Sequence, residues 1–353
     1  MKKSTTSKFS LLILIGIYLF SLNQAFACTR VVYKGLNGYV ITARSMDFSI
    51  DIPANLWLFP RGEQRNGEVG KSSIEWASKY GSIATSSWDI ATSDGMNEKG
   101  LVANLLWLVE SDYPAFEKDG ETKGLSVSLW AQYALDNFAN VAEAVEEFSK
   151  RDFVLVTDYI PGTDKYTTVH LSLSDASGDN AIFEYIGGKL VIHHDATYTV
   201  MTNDPPYKEQ LAINEYWKKI PGNKFLPGTN NPADRFARAS FYIDAIPKTD
   251  NTRTAVASVF SVIRNCSVPF GITTEGFPNI SSTRWRTVAD QTKMVYYFES
   301  IMTPNILWVD LNKIDFSSKA GTRKLDLSEG QTYAGESSKH FKKAKPFKFQ
   351  GFN

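Results

Sequence analysis

The feature that most constrains this chain is a hairpin signature directly after Cys28. The segments TRVVYK and YVITARSMDF, rich in β-branched and aromatic residues, flank a turn at 35–38 that contains Asn37-Gly38. Asn-Gly between two such runs favours a tight turn, because both residues tolerate positive φ. For a turn anywhere within 35–38, Cys28 lies across from Ser45, Met46 or Asp47, with Arg44 beside them. Topology alone therefore delivers a thiol, a guanidinium and a carboxylate to the open end of one hairpin. An ion pair between Arg44 and Asp47 at a strand end explains two of these residues equally well.

What precedes Cys28 changes that balance. Residues 1–27 contain Lys2, Lys3 and Lys8, then the apolar run LLILIGIYLF at 11–20, and end in Ala25-Phe26-Ala27. This is the pattern of a signal peptide, with a run shorter than the roughly 20 apolar residues that span a bilayer. Cleavage after Ala27 makes Cys28 the first residue of a periplasmic or secreted chain. A cysteine in that position has a second reading, the acylated first residue of an exported lipoprotein or anchored binding protein. Phe26, and Ala25 where such a site favours Leu, speak for ordinary cleavage and a free α-amine.

Only a thiolate attacks, and an unperturbed cysteine has a pKa of about 8.5, so the thiol needs a base. An α-amine, with a pKa of about 7.7 to 8.0, is partly neutral near pH 7 and takes the thiol proton directly or through water. Arg44 would favour the thiolate, and Asp47 would hold the amine. Nucleophile and base are then complete without histidine.

Composition is consistent with this economy. Of 353 residues, Lys+Arg number 38 and Asp+Glu 38, so the basic excess of nucleic-acid binders is absent. Residues 1–27 hold three lysines and no acid, which leaves the chain from Cys28 onward slightly acidic. Two cysteines and four histidines leave little for a metal cage, and no metal or cofactor is expected. Cys266 follows a helical stretch and reads as a small buried side chain; a disulfide to Cys28 is the alternative and would block the nucleophile.

Strand patterns fall at 55–59, 72–76, 100–108, 167–173, 181–186, 189–193, 198–202, 284–289, 292–299 and 305–309. Helical periodicity appears at 126–138, 141–148, 206–219, 233–246 and 253–263. Strands in runs and helices in pairs predict an α+β fold with antiparallel sheets, here as one domain over 28–353. The tail, with Lys339, Lys342, Lys343, Lys345 and Lys348, reads as a solvated terminus packed on the surface.

The motifs Cys28-Thr29-Arg30, Ala43-Arg44-Ser45-Met46-Asp47, Asn97-Glu98-Lys99-Gly100-Leu101, Met201-Thr202-Asn203-Asp204-Pro205 and Asp234-Arg235-Phe236 occur in one order and spacing. Together they resemble the choloylglycine hydrolase and penicillin V acylase family of N-terminal-nucleophile hydrolases. The resemblance implies an αββα sandwich of two antiparallel sheets between helix layers, a homotetramer, and hydrolysis of a small-molecule amide. It makes Cys28 the nucleophile with its own amine as base. Arg44 and Asp47 become its neighbours, Asn203 the amide that stabilises the oxyanion, and Arg235 the arginine completing the polar network.

Where bile-salt hydrolases usually carry Asn at the oxyanion hole, this chain has Trp107. Its backbone N–H still serves, and the indole suggests an apolar wall for an aromatic or alkyl acyl group, with Phe48 as a second wall. Either aromatic also suits an ordinary core position. Trp107 and the export signal resemble the Gram-negative penicillin V acylase branch, some of whose members hydrolyse N-acyl homoserine lactones. Bile-salt hydrolysis is the alternative.

Overall fold

The computed structural model describes residues 28–272, 281–328 and 330–352, so the expected export signal lies outside the described residues. The hairpin forms with one of the three expected registers. Strand β1 (Thr29–Lys34) pairs antiparallel with β2 (Val40–Phe48), placing Thr29 opposite Ser45 and Arg30 opposite Arg44. The turn uses the left-handed region at Asn37 (φ 53°) and Gly38 (φ 73°), the conformation that Asn-Gly favours.

Two large sheets are present among the described residues. The first has seven strands in the order Val200–Met201, β1, β2, Ser282–Asp290, Val295–Ser300, Ile306–Asp310 and Gly335–Glu336, antiparallel except for the last pair. The second has nine antiparallel strands. Their order is Lys189–His194, Asn180–Ile186, Val169–Ser174, Val102–Trp107, Ala91–Asn97, Ser82–Ser87, Leu56–Phe59, Arg323–Leu325 and Lys342–Lys343. Helices α1 (Trp130–Asn137) and α2 (Val141–Lys150) pack on the second sheet. Of α3 (Tyr207–Lys218), α4 (Pro232–Ala245) and α5 (Thr252–Asn265), the last two pack on β1 and β2, and α3 packs on α4. The chain is therefore an αββα sandwich.

Period-two alternation decides which side chains of the hairpin face which layer. Thr42 and Arg44 reach the second sheet, Thr42 Oγ1 lying 2.6 Å from Ser174 Oγ and Arg44 Nη2 donating to the Leu105 carbonyl at 2.9 Å. Ile41 and Ala43, with Val31 and Tyr33, take the opposite face towards α4 and α5, and Tyr33 Oη donates to the Pro247 carbonyl just beyond α4. Several polar groups between the sheets are hydrogen-bonded to one another. The buried Asp94 carboxylate accepts from Tyr296 Oη, from Asn104 Nδ2 at 2.6 Å and from Thr287 Oγ1 at 3.1 Å.

Helix starts carry recognisable chemistry. Asn140 Oδ1 accepts from the Glu143 N–H at 2.9 Å while Glu143 Oε2 accepts from the Ala139 N–H at 2.8 Å, a reciprocal cap for α2. Pro232 opens α4 at a position where a missing N–H costs nothing.

Three expectations are corrected. The strands Ser82–Ser87 and Ala91–Asn97 carry no strand pattern, because small polar residues buried on both faces lack alternation. The helix expected over 126–138 divides into a 3₁₀ turn at Val127–Leu129 and α1, where the Ser126 side chain accepts from the Ser128 N–H. The C-terminal tail is not merely solvated. Lys342–Lys343 extends the second sheet, and Phe349 is buried among apolar residues while Lys345 and Lys348 stay exposed.

Candidate active site

Cys28 lies in register opposite Met46, at the open end of the hairpin. Its side chain shares the face of Arg30 and Arg44, between the sheets. It is 2% exposed. Its Sγ accepts from Arg44 Nη2 and from the Asp47 backbone N–H, each at 3.5 Å. Arg44 is held by the Leu105 carbonyl and lies over the Trp285 ring, 4.7 Å from its centroid. Burial pushes the thiol above its ordinary value, against the pull of Arg44. Desolvation outweighs the guanidinium, so the buried thiol gives up its proton less readily than a free cysteine and calls for a base.

Replacing Arg44 by alanine removes the leading favourable charge at Sγ. The pH midpoint of Cys28 alkylation should move upward, slowing alkylation near neutral pH by about tenfold. A midpoint left in place would remove Arg44 from this role.

Asp47 is fully buried beside the cysteine. Burial pushes its carboxyl up to about 6, against Arg235, Thr283, Ser45 and Arg44. Ser45 Oγ donates to Oδ2 at 3.2 Å, whereas Oδ1 has no hydrogen-bond partner among the described residues. A buried carboxylate oxygen in that condition is costly and calls for a donor.

Arg235, in the first turns of α4, reaches across to the hairpin. Nη1 donates to the Cys28 carbonyl at 2.5 Å and to Thr29 Oγ1 at 2.6 Å, Nη2 to Asn203 Oδ1 at 3.0 Å, and Nε to the Asn230 carbonyl at 2.9 Å. Because a guanidinium only donates, it orients the Asn203 amide with the oxygen towards Arg235 and the NH₂ away. Asn203 Nδ2 then donates to the Trp107 carbonyl at 2.9 Å. The loop carrying Asn203 is held from both sides. Gln210 Nε2 donates to the carbonyls of Asn203 and Pro205, and Glu184 receives the Tyr207 N–H at the start of α3. Glu184 also pairs with His170 Nδ1 at 2.9 Å and His193 Nε2 at 3.2 Å, so these histidines support the scaffold.

A cleft of about 120 Å³ opens at Cys28, and the sheet itself explains it. Pairing between Ala91–Asn97 and Val102–Trp107 ends at Asp94 opposite Asn104, although both strands continue. Thr92 and Ser93 on one strand and Leu105 and Trp107 on the other line the gap. Phe48 and Trp107 both line this cleft.

Residues that sequence reasoning missed complete it, namely Ile52, Trp88, Ile160 and Gln350. Trp88 meets Phe48 edge to face at 5.9 Å and sits with Asp89 in the left-handed region, both at φ 51°. This conformation costs about 1–2 kcal/mol per residue, offset by Asp89 bonds to Trp57 Nε1, Asn55 Nδ2 and Ser86 Oγ. The signal in the sequence is a bulky residue in a two-strand turn. A larger pocket of about 650 Å³, lined by Phe270, Arg284, Trp285 and Met302 among others, does not include Cys28 and carries none of this chemistry.

Both cysteines are free, Cys266 being buried at the end of α5 with its thiol pushed up to about 11 by burial. Among the described residues no cluster of His, Cys, Asp and Glu forms a metal cage.

Residues 28–333 match the linear amide C-N hydrolases, choloylglycine hydrolase family. The chain belongs to this family. A penicillin V acylase of Pectobacterium atrosepticum is 51% identical over 92% of both chains. The solved penicillin V acylase of Agrobacterium tumefaciens is 56% identical, with a TM-score of 0.86 over 92% of this chain and all of that one. A bile salt hydrolase/transferase of Clostridium perfringens is 26% identical over 87% of this chain and 96% of its own. A solved conjugated bile acid hydrolase from that organism shares the fold at 22% identity, with a TM-score of 0.71. In this choloylglycine-family chain the five expected polar residues, Cys28, Arg44, Asp47, Asn203 and Arg235, converge on one site through direct hydrogen bonds or immediate packing.

Proposed function

We propose that the chain is exported, cleaved between Ala27 and Cys28, and acts in the periplasm as a penicillin V acylase-like hydrolase with Cys28 as nucleophile. The observation that carries this reading is the pair of N–H donors, from Arg44 and the Asp47 backbone, that meet Cys28 Sγ at the cleft. The match beginning at residue 28 supports maturation at that residue.

In the proposed reaction the α-amine takes the thiol proton as Sγ attacks the amide carbonyl, forming a C–S bond. The tetrahedral oxyanion is met by the second N–H of the Asn203 amide, whose first N–H engages Trp107. The backbone N–H of Trp107 contributes as well. It points along the same strand edge as the Trp107 carbonyl, because even-numbered residues such as Leu108 bond to the neighbouring strand. One such donor is worth about 3 kcal/mol of barrier. The ammonium returns the proton to the departing amine, the C–N bond breaks and a thioester remains. Water, deprotonated by the same amine, then releases the acid and the thiol.

Phe48, Trp88 and Trp107 suit an aryl or alkyl acyl group, so penicillin V and long-chain N-acyl homoserine lactones are the proposed substrates. The 51% relative favours the first over bile salts. Purified mature protein should turn over penicillin V or the lactone faster than glycocholate; faster turnover of glycocholate would overturn the assignment.

A further inference from the structure

The last residues, 347–352, form a strap fastened at several points. Phe347 meets Trp57 and Phe59 edge to face at 5.2 and 5.8 Å, and Arg65 lies over the Phe349 ring. The Gln350 N–H donates to the Ile90 carbonyl at 2.8 Å, and its own carbonyl receives Ser126 Oγ and Ser128 Oγ, each at 2.7 Å. The Phe352 N–H donates to the Glu68 carbonyl at 2.9 Å. At Gly351 a Cβ would lie 2.6 Å from that same carbonyl, so the strap is pressed against main chain there.

Between these fixings Gln350 forms part of the cleft that holds Cys28. Its Nε2 donates to the Tyr159 carbonyl at 2.6 Å. Tyr159 begins a loop whose next residues, Ile160 and Pro161, line the same cleft, as does Thr167 at its far end. That loop is otherwise closed by its own bonds, Ile160 N–H to the Lys165 carbonyl and the stacked, exposed rings of Tyr159 and Tyr166 at 4.2 Å. The strap lies beyond the matched stretch, which ends at residue 333.

We propose that Gln350 is a specificity-determining residue that sets the length of acyl group the cleft accepts. The strap is the wall that ends the acyl pocket, and the Gln350 amide holds the 157–167 loop against it. This rests on the acyl-amide reading above. With the wall in place the cleft has a volume of about 120 Å³, and withdrawing the wall lengthens it.

The test compares mature wild type, Gln350→Ala and Gln350→Trp on straight-chain N-acyl amides of one amine, from butanoyl to dodecanoyl. Hydrogen exchange across 157–167 is measured in the same samples. In Gln350→Ala the kcat/KM ratio of dodecanoyl to hexanoyl should rise about tenfold, and amides of 157–167 should exchange faster. In Gln350→Trp, which fills the cleft, the ratio should fall. Ratios within twofold of wild type in both variants would overturn the proposal. Wild type inert on the whole series defeats the acyl-amide reading separately, and unchanged exchange in Gln350→Ala would then overturn the strap as well.

Discussion

Mature Cys28→Ala protein should fold and bind but lose amide hydrolysis by about six orders of magnitude in kcat, the scale seen when a nucleophile is removed. The thiol is buried at the end of the cleft with two N–H donors on its sulfur. No other described nucleophile with such donors lines the cleft; Cys266 lies outside it. The stability cost should be small, about 1 kcal/mol for one buried atom, because the Cys28 carbonyl still receives Arg235. Steady-state hydrolysis and a melting curve measured together separate the two effects. Turnover within tenfold of wild type would exclude Cys28 as nucleophile. Accumulation of an acylated wild-type protein whose mass gain disappears in the variant would identify the thioester directly.

A protein with the single residue Ala27 retained before Cys28 should be silent in the same assay, losing at least about a thousandfold, within the range attributed to general acid–base catalysis. The peptide nitrogen it creates is an amide and accepts no proton at accessible pH. It also removes the ammonium that the proposed proton transfer would leave at the site. Among the described residues Asp47 Oδ1 is buried without a hydrogen-bond partner, and burial lifts the carboxyl to about 6. An adjacent α-ammonium supplies both the donor and the opposite charge, which favours the ionised carboxylate. Mass spectrometry establishes the N-terminus of each preparation before the assay. Equal activity from the extended chain would contradict the assignment of the α-amine as base.

Much of the hairpin and its chemistry is legible in the amino-acid sequence. Alternation and Asn37-Gly38 narrow the hairpin register to three neighbouring pairings, since side-chain period two and a turn that tolerates positive φ exclude the rest, and the structure selects the one with Thr29 opposite Ser45. That register alone brings Cys28, Arg44 and Asp47 together. The five long helices are visible as periodic segments, and their observed bounds differ mainly at the ends. The strands Ser82–Ser87 and Ala91–Asn97 are invisible for a physical reason. They lie between the first sheet and α1, where closeness matters more than propensity; at Gly95 a Cβ would come within 2.7 Å of a Leu135 methyl and closer still to the Ile83 carbonyl. Asn203 and Arg235 are recognised only by resemblance, because nothing local to Asn203-Asp204-Pro205 distinguishes an oriented amide from a turn residue.

The sequence by itself determined the hairpin, the cysteine at its open end and the helix pairs, since each follows from patterns within one short segment. The tertiary structure alone decided that Arg235 would grip both the Cys28 carbonyl and Asn203, and that two strands would part after Asp94 to open a cleft. It also decided that the C-terminal strap would become one of the cleft walls. The Arg235–Cys28 contact joins residues 207 positions apart, and the Ser126–Gln350 contact residues 224 apart. They depend on how layers close over a shared core, and no period or motif within a single segment encodes that closure.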